Sequence, residues 1–264
     1  MPDPEAPSPS GTDLDRENRI LERRLRRLEA NVQRMEEFQD SNSTLLSKLL
    51  RDLEAERARS HELLLNVLPQ RIIDRLNAGE TRIADRHDDA TVLFSDFVGF
   101  TGISSQLAPS VLVEELDALF RDFDAICDRT GVEKIKTVGD AYLAVGGLAD
   151  DGPASTEAIA ETALRMVDVV AEHQAHNARW QVRIGLASGP IIAGVVGVSK
   201  FAYDVWGDTV NLASRLETTS EPGRIHLSAA LAERLGSTYV VEPRGSIDLK
   251  GKGPTETFYL LGPR

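Results

Sequence analysis

The chain has a single cysteine in 264 residues, Cys127, which leaves no disulfide framework and no thiolate metal cage and fits a reducing compartment. It has no apolar run near the length needed to cross a bilayer, and its opening, MPDPEAPSPSGTD, lacks both the basic start and the hydrophobic core of a signal peptide. The expectation is a soluble, unsecreted, cytoplasmic protein with no transmembrane segment. Positive charge is also short. Lys and Arg number 30 against 42 Asp and Glu, a net charge of −12 at pH 7 that argues against nucleic acid as a partner. An anionic nucleotide would need a metal and local Arg or Lys.

With 41% hydrophobic residues, the chain can bury one good core and carry an appendage. Residues 1–13, rich in Pro, Ser and Gly, read as a loose tail. From Leu14 a seven-residue period begins. Leu14, Asn18, Leu21, Leu25, Leu28, Val32 and Met35, continuing to Leu63 and Val67, alternate spacings of four and three, which predicts a coiled-coil helix over 14–68. Polar pairs interrupt the seam at Gln39/Asn42 and Glu56/Ser60, where they would fix register at a cost in stability. The helix should end at Pro69, restart around Gln70 and stop at Gly79, in a connector spanning 69–89. A weakened coil at this position serves either as a two-state switch or as a static link.

From Ala90 to the end at 264, strands alternate with helices. TVLFSD precedes a helix opening near Pro109, a hairpin turns through Gly139-Asp140, a second helix runs from about Ala154 to His176, and another hairpin is expected at Ser188-Gly189-Pro190. The β-α-β-β-α-β order predicts an α/β (α+β) sandwich with helices on one face of a largely antiparallel sheet. Two strands end on an acid beside glycine: Asp96 in FSDFVGFT and Asp140 in KIKTVGDAYLAVGG. Carboxylates at adjoining strand ends can hold a hard cation such as Mg²⁺. Either one alone is equally explained as a turn aspartate.

FSDFVGFT, EKIKTVGDAYLAVGG, VRIGLASGPIIAGVVG and YDVWGDTVNLASRLE, in this order, resemble the catalytic domain of class III nucleotidyl cyclases over about Ala90 to Leu261. LLLNVLPQ resembles the helical segment that precedes many such domains. The resemblance implies a ferredoxin-like βαββαβ-derived cyclase domain. It implies two divalent cations, Mg²⁺ or Mn²⁺, held by Asp96, Asp140 and the Phe97 carbonyl. It places the purine-selecting pair on Lys136 and Asp204, the ribose and transition-state residues on Asn211 and Arg215, and phosphate-binding cations on Arg183 and Lys250.

Lys136 donates and Asp204 accepts, which complements the N1 acceptor and 6-amino donor of adenine, whereas guanylyl relatives typically carry Glu and Cys there. The implied reaction is conversion of ATP to cyclic AMP and pyrophosphate by a homodimer joined through its catalytic domains and a parallel coiled coil. An unidentified regulatory partner fits the same outline. Alternatives are a guanylyl cyclase and a non-catalytic dimeric nucleotide-binding adaptor. A diguanylate cyclase is disfavoured by the lack of a GGDEF or GGEEF run.

Overall fold

The structure, a computed structural model, describes residues 11–148, 155–176, 179–197 and 201–264. It divides into two compact units that part between Asn66 and Val67. The first unit is one helix, α1 (Gly11–Leu65), 55 residues and therefore about 80 Å long. Its seam is exposed along its length, with Leu25 at 59% and Leu28 at 64% of full accessibility. Among the described residues no helix is long and apolar enough to cross a membrane. The expected tail at residues 1–13 falls mostly outside the described residues.

The second unit opens with α2 (Gln70–Asn77), whose start at Pro69 and stop before Gly79 (φ 89°) follow the expected punctuation. Next come β1 (Ala84–Phe97), a short α3 (Phe100–Ser104), α4 (Pro109–Thr130), β2 (Glu133–Val138), β3 (Ala141–Gly146) and α5 (Ser155–His176). The chain continues through β4 (Val182–Val196), β5 (Ala202–Trp206), α6 (Asp208–Thr218), β6 (Ile225–Ser228), α7 (Ala229–Leu235), β7 (Tyr239–Leu249) and β8 (Gly253–Pro263). The strands form one sheet in the order β2-β3-β1-β4-β6-β8-β7, with β5 on the outer half of β4. Among the described strands only β4 and β6 pair in parallel.

Helices cover both faces of this sheet, not one as expected. α4, α5 and α7 close a core over Leu93, Phe97, Tyr142 and Ile184. On the opposite face α2 and α6 close a second core over Val92, Leu143, Ala187 and Ile191. The cause lies in the central strands, since Ala90 through Leu93 are buried without alternation, and a strand buried on both faces needs cover on both. β1 also starts ahead of that apolar run, because its polar first half still pairs with β4 from Ala84↔Gly194 onward.

The hairpin expected at Ser188-Gly189-Pro190 does not form; β4 runs straight through these residues. Opposite it, β1 pairs His87 with Ile191 and Ala90 with Gly189, so Asp88 and Asp89 together face Pro190. Proline has no N–H to give the ladder, and a bulge in the partner strand accommodates the missing donor. A bulge also sharpens the local twist of the pair it interrupts, at the point beyond which β5 joins β4.

The inner half of β4 is pressed against α6. A Cβ added at Gly185 would lie 2.2 Å from both the Ala213 carbonyl oxygen and the Glu217 backbone nitrogen, a clash with main chain that no side-chain motion relieves. Gly185→Ala is therefore expected to lower unfolding free energy by about 2–3 kcal/mol. Urea titration of the purified variant checks this, and wild-type stability would show that α6 is not clamped to β4.

Candidate active site

The β1–β3 ladder runs outward to Ser95↔Tyr142, and the acids Asp96 and Asp140 lie just beyond it at the same sheet edge. Gly139 (φ 64°) takes the left-handed conformation that turns β2 into β3, which presents Asp140 at the turn. The two carboxyls are near enough to act on each other's charge. Burial first, and then the hydrogen bond and charge of Asp96, push the Asp140 carboxyl up to about 6, while main-chain groups of Asp140 and Phe97 pull it partly back. Phe97 is fixed from behind, since its buried ring packs 5.2 Å from Trp180 and 6.1 and 6.2 Å from Phe120 and Phe123. These aromatic contacts, each worth about 0.5–1.5 kcal/mol, hold the strand end that carries Asp96.

Arg183, directly across the ladder from Asp96, places Nη2 2.9 Å from the Asp96 Oδ2 and 3.1 Å from Glu217 Oε1. The second approach is an ion pair without good hydrogen-bond alignment, because Glu217 Oε1 and Arg183 Nε both lack an aligned partner. Burial pushes the Glu217 carboxyl up to about 7; Arg183 opposes that shift, and the charges of Asp96 and Asp140 add to it. Arg183, the residue expected at phosphate, thus lies between the two acids. Sequence reasoning missed Glu217. Its signal was an acid on the face of α6 that buries Ala213 and Leu216.

The other expected residues form two further groups. Lys136 Nζ lies 2.5 Å from Asp204 Oδ2, joining β2 to β5, and the second Asp204 oxygen accepts from the Val205 N–H at 2.9 Å. On α6, Asn211 and Arg215 are one turn apart on one side of the helix. Arg215 reaches the β7–β8 turn, where an added Cβ at Gly251 would meet its Nη2 at 3.7 Å. That turn carries the exposed Lys250, and its Lys252 pairs with Asp208 at the start of α6. Among the described residues no hydrogen bond or ion pair joins one of the three groups to another.

The acid pair suits divalent cations. Its carboxyls are hard oxygen donors with mutual repulsion to be relieved, and among the described residues no cluster of three or more His, Cys, Asp or Glu could hold a metal by itself. Two carboxylates completed by main-chain oxygen, water and substrate phosphate is the pattern in which Mg²⁺ is usually bound.

Residues 83–262 match the family model of the adenylate and guanylate cyclase catalytic domain. The chain belongs to this family. It is similar to an adenylate cyclase of Mycobacterium tuberculosis, 47% identical over 212 residues, which are 80% of this chain and 48% of the relative. It thus spans about half the length of this relative. Among solved structures it is similar to the guanylate cyclase domain of RhGC from Catenaria anguillulae in complex with GTP, at TM-score 0.65 and 35% identity over 68% of this chain and 100% of that one. It is also similar to the adenylyl cyclase CyaB from P. aeruginosa, at TM-score 0.62 and 25% identity over 69% and 97%. These likenesses account for the β-α-β-β-α-β core and leave the choice of base to the residues of the site.

For this cyclase domain, the contact between like charges makes a stability prediction. Asp140→Asn replaces a repelling carboxylate by an amide able to donate to Asp96. Discounted for partial solvent screening, the gain is expected to raise the unfolding temperature in EDTA by about 2–4 °C. Calorimetry with and without Mn²⁺ checks it, since the metal should stabilise wild type and not the variant. A lower melting temperature in EDTA would contradict the geometry.

Proposed function

We propose that the chain is an adenylyl cyclase that converts ATP to cyclic AMP and pyrophosphate at sites shared between two subunits of a homodimer. The observation that carries the base assignment is the Lys136–Asp204 pair, which holds one donor and one acceptor side by side at 2.5 Å. Adenine presents the complementary acceptor and donor; guanine would leave both groups mismatched, and buried polar groups without partners reject the wrong ligand strongly. Similarity to a guanylate cyclase domain favours GTP as the second reading. Against it stands the absence of Glu and Cys at positions 136 and 204.

Asp96, Asp140 and the Phe97 carbonyl would hold the divalent cations, which supply charge neutralisation of the triphosphate and acidification of the 3′ hydroxyl. The chain's own residues do the rest. Asn211, exposed on α6, orients the ribose so that the hydroxyl lies on the line of attack at the α-phosphorus. Arg215 meets charge that develops on the phosphate oxygens with a planar fork of donors. Arg183, leaving its acid partners, and Lys250 in the β7–β8 turn bind the departing phosphates.

Two observations support the dimer. The seam of α1 is apolar and exposed, as one strand of a parallel coil requires. In the second unit, Ile192 (47%) and Trp206 (38%) are cross-strand partners on β4 and β5, and Val196 (49%) lies on the same face. An exposed apolar stretch of this kind marks an interaction surface. The three residue groups also remain unconnected within one subunit, which supports clefts built from both. In this reading 14–68 is the dimerising coil, 69–89 the connector and 90–264 the catalytic domain.

Purified chain with Mg²⁺ or Mn²⁺ should make cyclic AMP from ATP faster than cyclic GMP from GTP; the reverse ratio would favour the second reading. Lys136→Glu with Asp204→Cys should shift preference toward GTP, and an unchanged ratio would place base selection elsewhere. Asp96→Ala and Asn211→Ala chains should each be inactive, whereas mixed dimers regain one intact cleft and up to about a quarter of wild-type activity, set by statistical pairing. No recovery after verified subunit exchange would exclude shared sites.

A further inference from the structure

The strands that carry the Lys136–Asp204 pair are not hydrogen-bonded neighbours: β2 lies at one end of the sheet order and β5 hangs on the outer half of β4. Side chains join them. Beside the Lys136–Asp204 contact a second bridge spans the same two strands. Arg71, in the first turn of α2, donates through Nη2 to Glu133 Oε1 on β2 at 2.9 Å and to the Tyr203 hydroxyl on β5 at 2.6 Å, and its Nη1 donates to the other Glu133 oxygen. The guanidinium also lies 5.6 Å from the Tyr203 ring centroid. Tyr203 immediately precedes Asp204.

Glu133 is tied to Lys136 by local backbone geometry. β2 pairs Lys134 with Ala144 and Lys136 with Leu143, so Ile135 is an extra residue in the ladder. In a regular strand residues three apart point to opposite faces; the bulge puts Glu133, opposite Val145, and Lys136, opposite Leu143, on the same face. That face is the one packed by α2, since Leu143 and Val145 share a core with Ile72 and Ile73. Tyr203 is 6% exposed, and burial raises its hydroxyl pKa, so the phenol stays a neutral hydrogen-bond partner. The bridge is half sheltered and bidentate, the geometry in which Arg is rigid and not replaceable by a point charge.

We propose that Arg71 is a positioning residue for purine recognition: by clamping Glu133 to Tyr203 it sets the spacing of Lys136 and Asp204, and it makes nucleotide selectivity depend on the seating of α2. The inference rests on the assignment of Lys136 and Asp204 to the purine. Arg71 itself touches no substrate. Loss of the clamp lets β2 and β5 separate, so the donor and acceptor no longer span adjacent positions on the base.

The test is steady-state kinetics of full-length Arg71→Met with ATP and with GTP, beside Lys136→Ala and thermal melting of each protein. The expected result is a KM for ATP raised about five- to tenfold with kcat within about twofold, a KM for GTP little changed, and partial recovery in Arg71→Lys. Glu133→Gln should raise the KM for ATP similarly and add nothing to Arg71→Met, because both remove one bridge. Tyr203→Phe, which deletes only a hydroxyl, gives a milder version should Arg71→Met fold poorly. If Lys136→Ala raises the KM for ATP but Arg71→Met and Tyr203→Phe change only melting temperature or kcat, the clamp is structural and the proposal is overturned. If Lys136→Ala leaves KM unchanged, the purine assignment fails and the proposal falls with it.

Discussion

Two carboxylates pressed together at one sheet edge are the constraint from which the rest of the second unit can be understood. Asp96 and Asp140 repel each other, and a chain free to relax would part them. They stay together because the β1–β3 ladder delivers both to the same end, and because Phe97 is locked among Phe120, Phe123 and Trp180. Arg183 offsets part of the repulsion from across the ladder, and Glu217 holds Arg183 from α6. The close seating of α6 on Gly185 keeps Glu217 in place. In the proposed reading, cations and phosphate bound here would relieve the repulsion between the two acids.

The pair proposed to recognise the base, Lys136 and Asp204, draws on a different part of the architecture. Beyond the bulge opposite Pro190, β5 joins β4 and comes within side-chain reach of β2. Edge strands joined only by side chains are adjustable in a way that ladder-paired strands are not. The connector helix α2 grips both through one guanidinium. In the proposed function, chemistry at the acid pair would therefore rest on a rigid ladder, and selectivity on a joint.

Local signals made much of this legible from the sequence. Pro69, Gly79, Pro109 and the Gly139-Asp140 turn act through backbone sterics within a few residues, and α2, α4, β2 and β3 start or stop beside them, whereas the helix expected over 14–68 runs from Gly11 to Leu65. Asp96 and Asp140 could be paired because both end apolar strands beside glycine. The misreadings were non-local. Gly189-Pro190 looks like a turn until a partner strand is there to bulge around it, and a run such as Ala90–Leu93 reveals burial without saying that helices lie on both sides. Equally non-local, though no misreading, is the pairing of Arg183 with Asp96 and Glu217, which depends on cross-strand register and leaves its expected phosphate role standing. Arg71, Glu133 and Tyr203 sit 62 and 70 residues apart along the chain, so no local pattern links them.

In the proposed dimer the acids of one subunit and the purine pair of the other grip a single nucleotide. Crystals grown with Mn²⁺ and a nonhydrolysable ATP analogue test this most directly through anomalous scattering. Manganese peaks against Asp96 and Asp140, with the adenine on Lys136 and Asp204 of the second subunit, are the predicted result. Metal bound away from those acids, or a base held by the same subunit that holds the metal, would contradict it.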